Sequence, residues 1–540
     1  MNAVTMQAVR PQVAPVSVPA TAPGELPLGE KIFAFGAMSL GFFIALLDIQ
    51  IVSASLKEIG GGLSASPDEL AWVQTSYLIA EIIMIPLTGW LSRVMSTRWL
   101  FAVSAAGFTA SSLLCGWAWD IESMIAFRAV QGFLGGAMIP TAFTSAFFYF
   151  TGQQRVVAAA IIGGLSSLAP TLGPTIGGWI TDNYSWHWLF FINLIPGIFV
   201  TIAVPSLVKI DKPDIALLKG ADYVGMVLMA IFLGTLEYTL EEGPRWDWLG
   251  DDTIRTTAII AAITGPLFIL RSLTFARPVV EFRALLVRNF GLGSLLSFVT
   301  GIGIFATIYL TPVFLARVRD FSAEQIGFAV FSTGLFQLAA IPLYTFLARR
   351  IDLRWLMLFG LLCFGFGLWI FTTITHDWGW EELLLPQAFR GFAQQFAVAP
   401  IVTLALGSLP PERLKFASGL FNLMRNLGGA IGIAGCATIL NDRTNLHSAR
   451  IAESLSPTNT TAVQVLQRLT ERYTQIFAGD TKMAHAAALK QLWSLVLREA
   501  LTETVADAFL LMSLCFFAVA FLPPLMKKVA PPKAPSADAH

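Results

Sequence analysis

Apolar residues gather in runs of about twenty, long enough to cross a ~30 Å hydrocarbon core as a helix, and they recur fourteen times along the 540-residue chain. The runs lie at roughly 32–55, 70–92, 99–119, 123–149, 156–181, 187–208, 221–241, 253–272, 290–314, 322–347, 353–374, 382–408, 416–440 and 501–526. A backbone in lipid must satisfy its own hydrogen bonds, so repeated runs of this length predict an all-α polytopic membrane protein with fourteen spans. The fifth run stands apart, because Pro170, Gly173, Pro174, Gly177 and Gly178 crowd into it. Each proline removes a backbone donor and bends the helix. The glycines admit a neighbouring backbone. A packing and gating element is expected there.

The chain also repeats itself. Residues Gly164–Gly178 align without gaps onto Gly419–Ile433 with seven of fifteen positions identical, and Phe127–Gly132 matches Phe389–Gln394 in the same order. The matching runs are the fifth and the thirteenth, an even difference, so both copies point the same way through the bilayer. That predicts a parallel repeat about an axis along the membrane normal, as in two-halved secondary transporters. Six spans make each half. The expected divisions are a disordered tail over 1–30, a six-helix bundle over 31–208, and a linker with two inserted spans over 209–289. A second bundle follows over 290–526, including an outer loop at 441–500, and then a tail over 527–540. The outer loop carries amphipathic stretches at Thr461–Phe477 and Ala484–Leu497, which fit either a surface cap or a docking surface for a partner.

Composition agrees with the pattern: 55% of residues are hydrophobic, 13% are charged, and mean hydropathy is +0.67. Net charge is zero and says nothing of partners, but its distribution does. Twenty basic residues fall on the side of the N-terminus and five on the short opposite loops, which places both termini in the cytoplasm. The four cysteines are scattered over spans and read as packing residues. No Walker loop, dinucleotide fingerprint, zinc spacing or paired haem ligand occurs, so neither enzyme chemistry nor a metal or organic cofactor is expected, and no nucleic-acid partner.

Ionisable side chains inside a span are expensive, at least ~2.5–3.5 kcal/mol at the centre, and each is a candidate site. Asp48 lies in the first span, Glu81 midway along the second and Arg128 in the fourth. A buried carboxylate beside a cation that can move away is able to load and release a proton. The alternative is a fixed ion pair between helices. Arg390 and Arg425 hold the matching places in the second half, without a deep acid beside them in sequence, and Glu237 reads as a helix-packing or snorkelling residue. Gln50, Tyr77, Gln131, Phe133, Gln337 and Gln394 are candidates to line an apolar cavity with a few polar anchors.

These residues resemble the fourteen-span drug:proton antiporters of the major facilitator superfamily, EmrB/QacA type, over about 30–526. Gly164–Gly178 is similar to that family's antiporter motif, Trp186–Asn193 to the opening of its sixth span, and Arg128–Gly132 to its fourth-span motif. Asp48 matches its first-span acid, and Leu409–Arg413 and Ser418–Asn422 resemble its thirteenth-span region. The resemblance implies a major facilitator fold of two six-helix bundles plus two inserted helices. It also implies proton-driven efflux of amphipathic compounds, with Asp48 and Arg128 in proton coupling and Glu81 as a second carrier or cation contact. The likeness is nearest to permease subunits of tripartite Gram-negative pumps, which work with a periplasmic adaptor and an outer-membrane channel. One departure is plain: the turn between the second and third spans has Arg93 and Ser96 where the family carries an acid and a glycine, so the usual latch acid is missing. Export of a single metabolite, siderophore or organic acid, and a non-transporting sensor with the same fold, are the rival readings.

Overall fold

The computed structural model describes residues 27–456, 458–477 and 480–528, so the two tails expected at the chain ends fall almost wholly outside the described residues. Fourteen long helices follow the apolar runs in order. The first bundle holds α1 (Leu28–Ala54), α2 (Pro67–Val94), α3 (Thr97–Gly116), α4 (Ile121–Tyr149), α5 (Gly152–Asn183) and α6 (Leu194–Leu207). Next come α7 (Tyr223–Glu242) and α8 (Asp252–Thr274). The second bundle holds α9 (Arg288–Val318), α10 (Ala323–Leu347), α11 (Leu353–Ile370), α12 (Trp380–Leu406), α13 (Pro411–Ser454) and α14 (Thr481–Val519). Thirteen described helices are long and apolar enough to cross a membrane. The fourteenth, α4, has 29 residues, about 44 Å of helix. Its interior trades apolar side chains for Arg128, Gln131, Gly135 and Thr141, because most of it is buried against protein.

Helix starts are written locally. Ser66 and Glu69 form a reciprocal cap at α2, with Glu69 N donating to Ser66 Oγ at 3.3 Å and Ser66 N to Glu69 Oε2 at 2.9 Å. Asp120 does the same for α4, accepting from Ser123 N at 2.8 Å. The sixth apolar run is broken: a single turn at Trp188–Phe191 precedes α6, and Asn193 sits at the break.

The helices of each half pair in the same way. In the first half α1 lies on α5, α4 on α2 and α3, and α3 on α6; in the second α9 lies on α13, α12 on α10 and α11, and α11 on α14. The glycine frame explains the α1–α5 and α9–α13 seams. An added Cβ at Gly173 would lie 2.3 Å from Gln50 Cβ, and one at Gly177 would lie 2.8 Å from the Ile51 carbonyl oxygen. At the aligned positions, a Cβ at Gly428 would lie 2.1 Å from the Phe298 carbonyl oxygen and one at Gly432 2.9 Å from Ile302 Cα. No larger residue fits either approach. Pro170 and Pro174 are buried inside a continuous α5, with the prolines confined to the first copy of the frame.

Between the halves, α5 packs on α10 and α12, while α13 packs on α2 and α4. Thr175 Oγ1 donates to the Gly327 carbonyl at 2.8 Å, Gln395 Nε2 to the Ala160 carbonyl at 3.2 Å, and the Thr144 and Ser418 hydroxyls meet at 2.7 Å. On the basic side, Lys415 Nζ of α13 donates to the Ser92 carbonyl of α2 at 3.0 Å and pairs with Asp211. Asp211 also accepts from Thr97 N at 3.0 and 3.1 Å, and Arg93 lies 5.3 Å over the Phe416 ring. The acid on this face thus comes from the segment after α6 and not from the α2–α3 turn.

The inserted α7 and α8 pack on each other, and α7 lies on α2 and α13. Their connecting turn is tied to α13: Trp248 Nε1 donates to Thr438 Oγ1 at 3.0 Å and Asn441 Nδ2 to the Pro244 carbonyl at 2.7 Å. The segment expected as an outer loop is largely helical. α13 runs unbroken for 44 residues and α14 for 39, so each outlasts the bilayer, and a separate helix at Thr460–Ile476 lies against α14. Polar side-chain contacts hold the extension together: His447 lies 2.9 Å from Glu503 and 3.0 Å from Asp507, and Arg443 pairs with Asp507 at 2.9 Å.

Candidate coupling site in the first bundle

Three membrane-buried candidates were separate points in the sequence, and the fold joins two of them. Asp48 of α1 and Arg128 of α4 are both 0% exposed, and Arg128 Nη1 donates to Asp48 Oδ2 at 2.5 Å. The other carboxylate oxygen accepts from Asn193 Nδ2 at 2.7 Å and from Gln131 Nε2 at 3.1 Å. Ser112 Oγ accepts from the same two amides, at 3.0 and 3.1 Å, and donates to the Phe190 carbonyl at 2.9 Å. Arg128 is held further by the Gln131 amide oxygen at 2.8 Å, the Val73 carbonyl at 3.2 Å and the Tyr77 ring 4.2 Å from its guanidinium carbon. Such a pair is stable only while every partner stays in place, because removing one leaves a buried charge uncompensated. Movement of α1 against α4 therefore changes what Asp48 can hold. That is the chemical capacity of the site.

Glu81 lies apart from this cluster and faces the other bundle. Asn426 Nδ2 of α13 donates to its Oε1 at 3.5 Å, and the preceding residue, Arg425, is buried at the same interface, 5.4 Å over the Phe143 ring of α4. The sequence reading of Arg425 as lacking a deep acid is corrected here, since the acid comes from the opposite half. For Arg390 that reading holds: its Nη2 donates to Thr333 Oγ1 at 2.7 Å and Gln387 Oε1 at 3.1 Å, with no acid in the group.

The cavity candidates divide. Tyr77 and Gln131 belong to the Asp48–Arg128 network, with Tyr77 Oη donating to the Ala45 carbonyl at 3.3 Å. Gln50 lies on the α1–α5 seam beside Gly173. Gln337 is buried on α10 with both amide atoms unpartnered, and Gln394 is buried on α12. Phe133 is a correction: it is 38% exposed, on the stripe of α4 that includes Ala126 and Val130 and turns away from Arg128. Its position five residues beyond Arg128 puts it about 140° around the helix. Asn193 and Ser112 are members of this hydrogen-bond network that the sequence reading did not single out. A single asparagine just ahead of the apolar run of α6 was the available signal.

The sequence profile of the Major Facilitator Superfamily matches residues 38–432 and 293–530. The colistin resistance protein EmrB of Acinetobacter baumannii is 39% identical over 488 residues, 90% of this chain and 94% of that protein. The multidrug export protein EmrB of Escherichia coli K12 is 31% identical over 434 residues, 80% of this chain and 85% of that one. The solved proton:xylose symporter XylE shares the fold at 13% identity, with a TM-score of 0.57 over 92% of this chain and 99% of that chain. With the paired bundles, the glycine frame and a profile match over most of its length, the chain belongs to the Major Facilitator Superfamily, as a multi-pass membrane transporter rather than an enzyme.

Proposed function

We propose that the protein exports amphipathic, drug-like compounds across the bacterial inner membrane in exchange for protons, with both termini in the cytoplasm. The observation that supports this reading most directly is the fully buried Asp48–Arg128 pair, whose carboxylate is shared with Asn193 and Gln131. Rocking of the bundles over 31–208 and 290–526, with the 209–289 insert alongside, alternately opens the two sides. When α1 and α4 part, Asp48 exchanges a guanidinium partner for a proton. The names of the two EmrB relatives, one given for colistin resistance and one for multidrug export, support the cargo class. Gln337 and Gln394 serve as polar anchors in an otherwise apolar path. Gly173, Pro174, Gly177 and Gly178 serve the seam along which α5 and α1 move.

The test is reconstitution in proteoliposomes with an imposed pH gradient and ethidium as the probe. Asp48→Asn with a native melting profile should abolish gradient-driven flux; unchanged flux overturns the assignment. The extended α13 and α14, with the Thr460–Ile476 helix, are the proposed contact for a periplasmic adaptor that leads to an outer-membrane channel. Deleting 456–479 should release a co-purifying adaptor while leaving vesicle flux intact, and retention of the adaptor would refute that contact.

A further inference from the structure

The two halves treat their matching arginines differently. Arg128 of α4 and Arg390 of α12 hold aligned places in the repeat, and they are 0% and 2% exposed. Each bonds a glutamine one turn away, Gln131 at 2.8 Å and Gln387 at 3.1 Å. Arg128 uses its Nε on the Val73 carbonyl and its Nη1 on Asp48. Arg390 uses Nη2 alone, on Thr333 Oγ1 and Gln387 Oε1, while its Nε and Nη1 are buried with no hydrogen-bond partner. The seam glycines show what stands in place of the acid. Gly177 packs on Ile51 and the aligned Gly432 on Ile302, so Asp48 of α1 corresponds to the buried Val299 of α9, each one turn earlier. The second bundle offers no replacement. α9 and α11 contain no acid, and those of α10 and α12 are Glu324, Glu381 and Glu382 in the first turns. α13 has none between Glu412 and Asp442, and the innermost acid of α14, Asp507, is engaged by Arg443 and His447.

A guanidinium sealed inside a bundle at membrane depth, with two nitrogens unused, calls for a counter-charge. In the first half the chain supplies it. We propose that Arg390 binds chloride, which completes in the second bundle the charge pair that Asp48 completes in the first. The chemistry of the site narrows the ligand. The unused groups are all guanidinium N–H donors, so the ligand accepts and does not donate. A single positive charge is to be balanced, and a divalent phosphate or sulfate would exchange one uncompensated charge for another. The other side of the guanidinium is held firmly: Thr333 also donates to Gln387, whose Nε2 is fixed on the Ala329 carbonyl at 2.9 Å. An added Cβ at Gly391 would lie 2.1 Å from the Thr333 carbonyl oxygen, so α10 and α12 are in closest contact beside the site. The proposal depends on neither proton coupling nor cargo. It divides the labour of the two bundles, because a proton can break the first pair whereas the second responds to the anions in solution.

The test is binding of radiolabelled chloride to the full chain in detergent, by scintillation proximity, with gluconate replacing chloride at constant ionic strength. Wild type should bind chloride saturably, one per chain, and its melting temperature should rise as chloride is added. Arg390→Gln should weaken binding at least about tenfold, the share of a charge-assisted hydrogen bond, and Arg390→Lys should keep part of it. Val299→Asp leaves the arginine in place and supplies a carboxylate where the first half has Asp48. That variant should bind no chloride and melt at a temperature that chloride no longer raises. No saturable binding in wild type, or binding unchanged in both Arg390→Gln and Val299→Asp, overturns the site. Binding that survives Arg390→Gln and is lost in Arg425→Gln would put the anion between the bundles and overturn the assignment equally.

Discussion

Replacing Lys415 by methionine should open the basic side of the transporter. Lys415 Nζ donates to the Ser92 carbonyl at 3.0 Å and pairs with Asp211, and the two charged side chains are only 10% and 19% exposed. Hydrogen bonds to charged groups contribute about 1.5–3 kcal/mol, and partial solvent access reduces the ion pair's share. A loss of about 2 kcal/mol follows. It is felt only in the state where the end of α13 touches α2, so it acts on the equilibrium between states and not on each bundle's own stability. At 1.4 kcal/mol per tenfold, the closed-to-open ratio on that side falls roughly thirtyfold. Spin labels at Thr151 and Arg350, both exposed at the basic ends of opposite bundles, would report the change as a longer inter-label distance in electron double resonance. Asp211→Asn should shift the distance the same way, and the double variant should add little, because the two residues form one interaction. Unchanged distances in Lys415→Met, or full additivity, would refute the latch.

Gln337 buries both amide atoms without a partner, so Gln337→Leu should raise the melting temperature of the empty protein, an unmet polar group costing about 1–3 kcal/mol, while weakening cargo affinity. A stability gain with undiminished affinity would remove Gln337 from the cargo path. At the turn before α11, hydrogen bonds from Arg354, at 2.8 and 3.2 Å, hold the Asp352 carboxyl below its ordinary value of 3.8. An acid depressed in the folded state adds stability above its unfolded value and loses it as pH falls through the folded one. Arg354→Ala should therefore melt lower than wild type above about pH 4, and the gap should narrow below that; a gap that is constant across this range would refute the pairing.

Much of this architecture was legible because hydropathy is a sum over twenty residues. Fourteen runs became fourteen helices, and even the weakly apolar α4 was found by length. The glycine frame was legible for a different reason: Gly173, Gly177, Gly428 and Gly432 are read by size alone, and close approach needs nothing else. Side-chain partners were harder. Asp48 and Arg128 are each visible as charges in lipid, yet nothing in a linear pattern says that Asn193, 145 residues from Asp48, bonds the other oxygen of the same carboxylate. Glu81 shows the same limit across the interface, where its partners come from the opposite bundle. Phe133 failed because an aromatic residue in a span looks alike on a lipid face and in a cavity, and only azimuth separates the two. In the 441–500 segment the stretch Thr461–Phe477 was legible as a helix, whereas the unbroken extension of α13 and α14 out of the spans was not. Its polar residues signal departure from lipid, which does not require departure from the helix.

That last feature has a mechanical meaning. From the seam glycine Gly432 to Ser454, α13 continues as one helix for 22 residues, about 33 Å of length. Each degree of tilt at the seam sweeps its tip by about 0.6 Å on that length. α14 is tied alongside by His447 and Arg443, so the two helices swing together as a lever. Small rotations deep in lipid are thus magnified into displacements well outside it, and a protein gripping the tip would sense which way the transporter faces without touching its cargo.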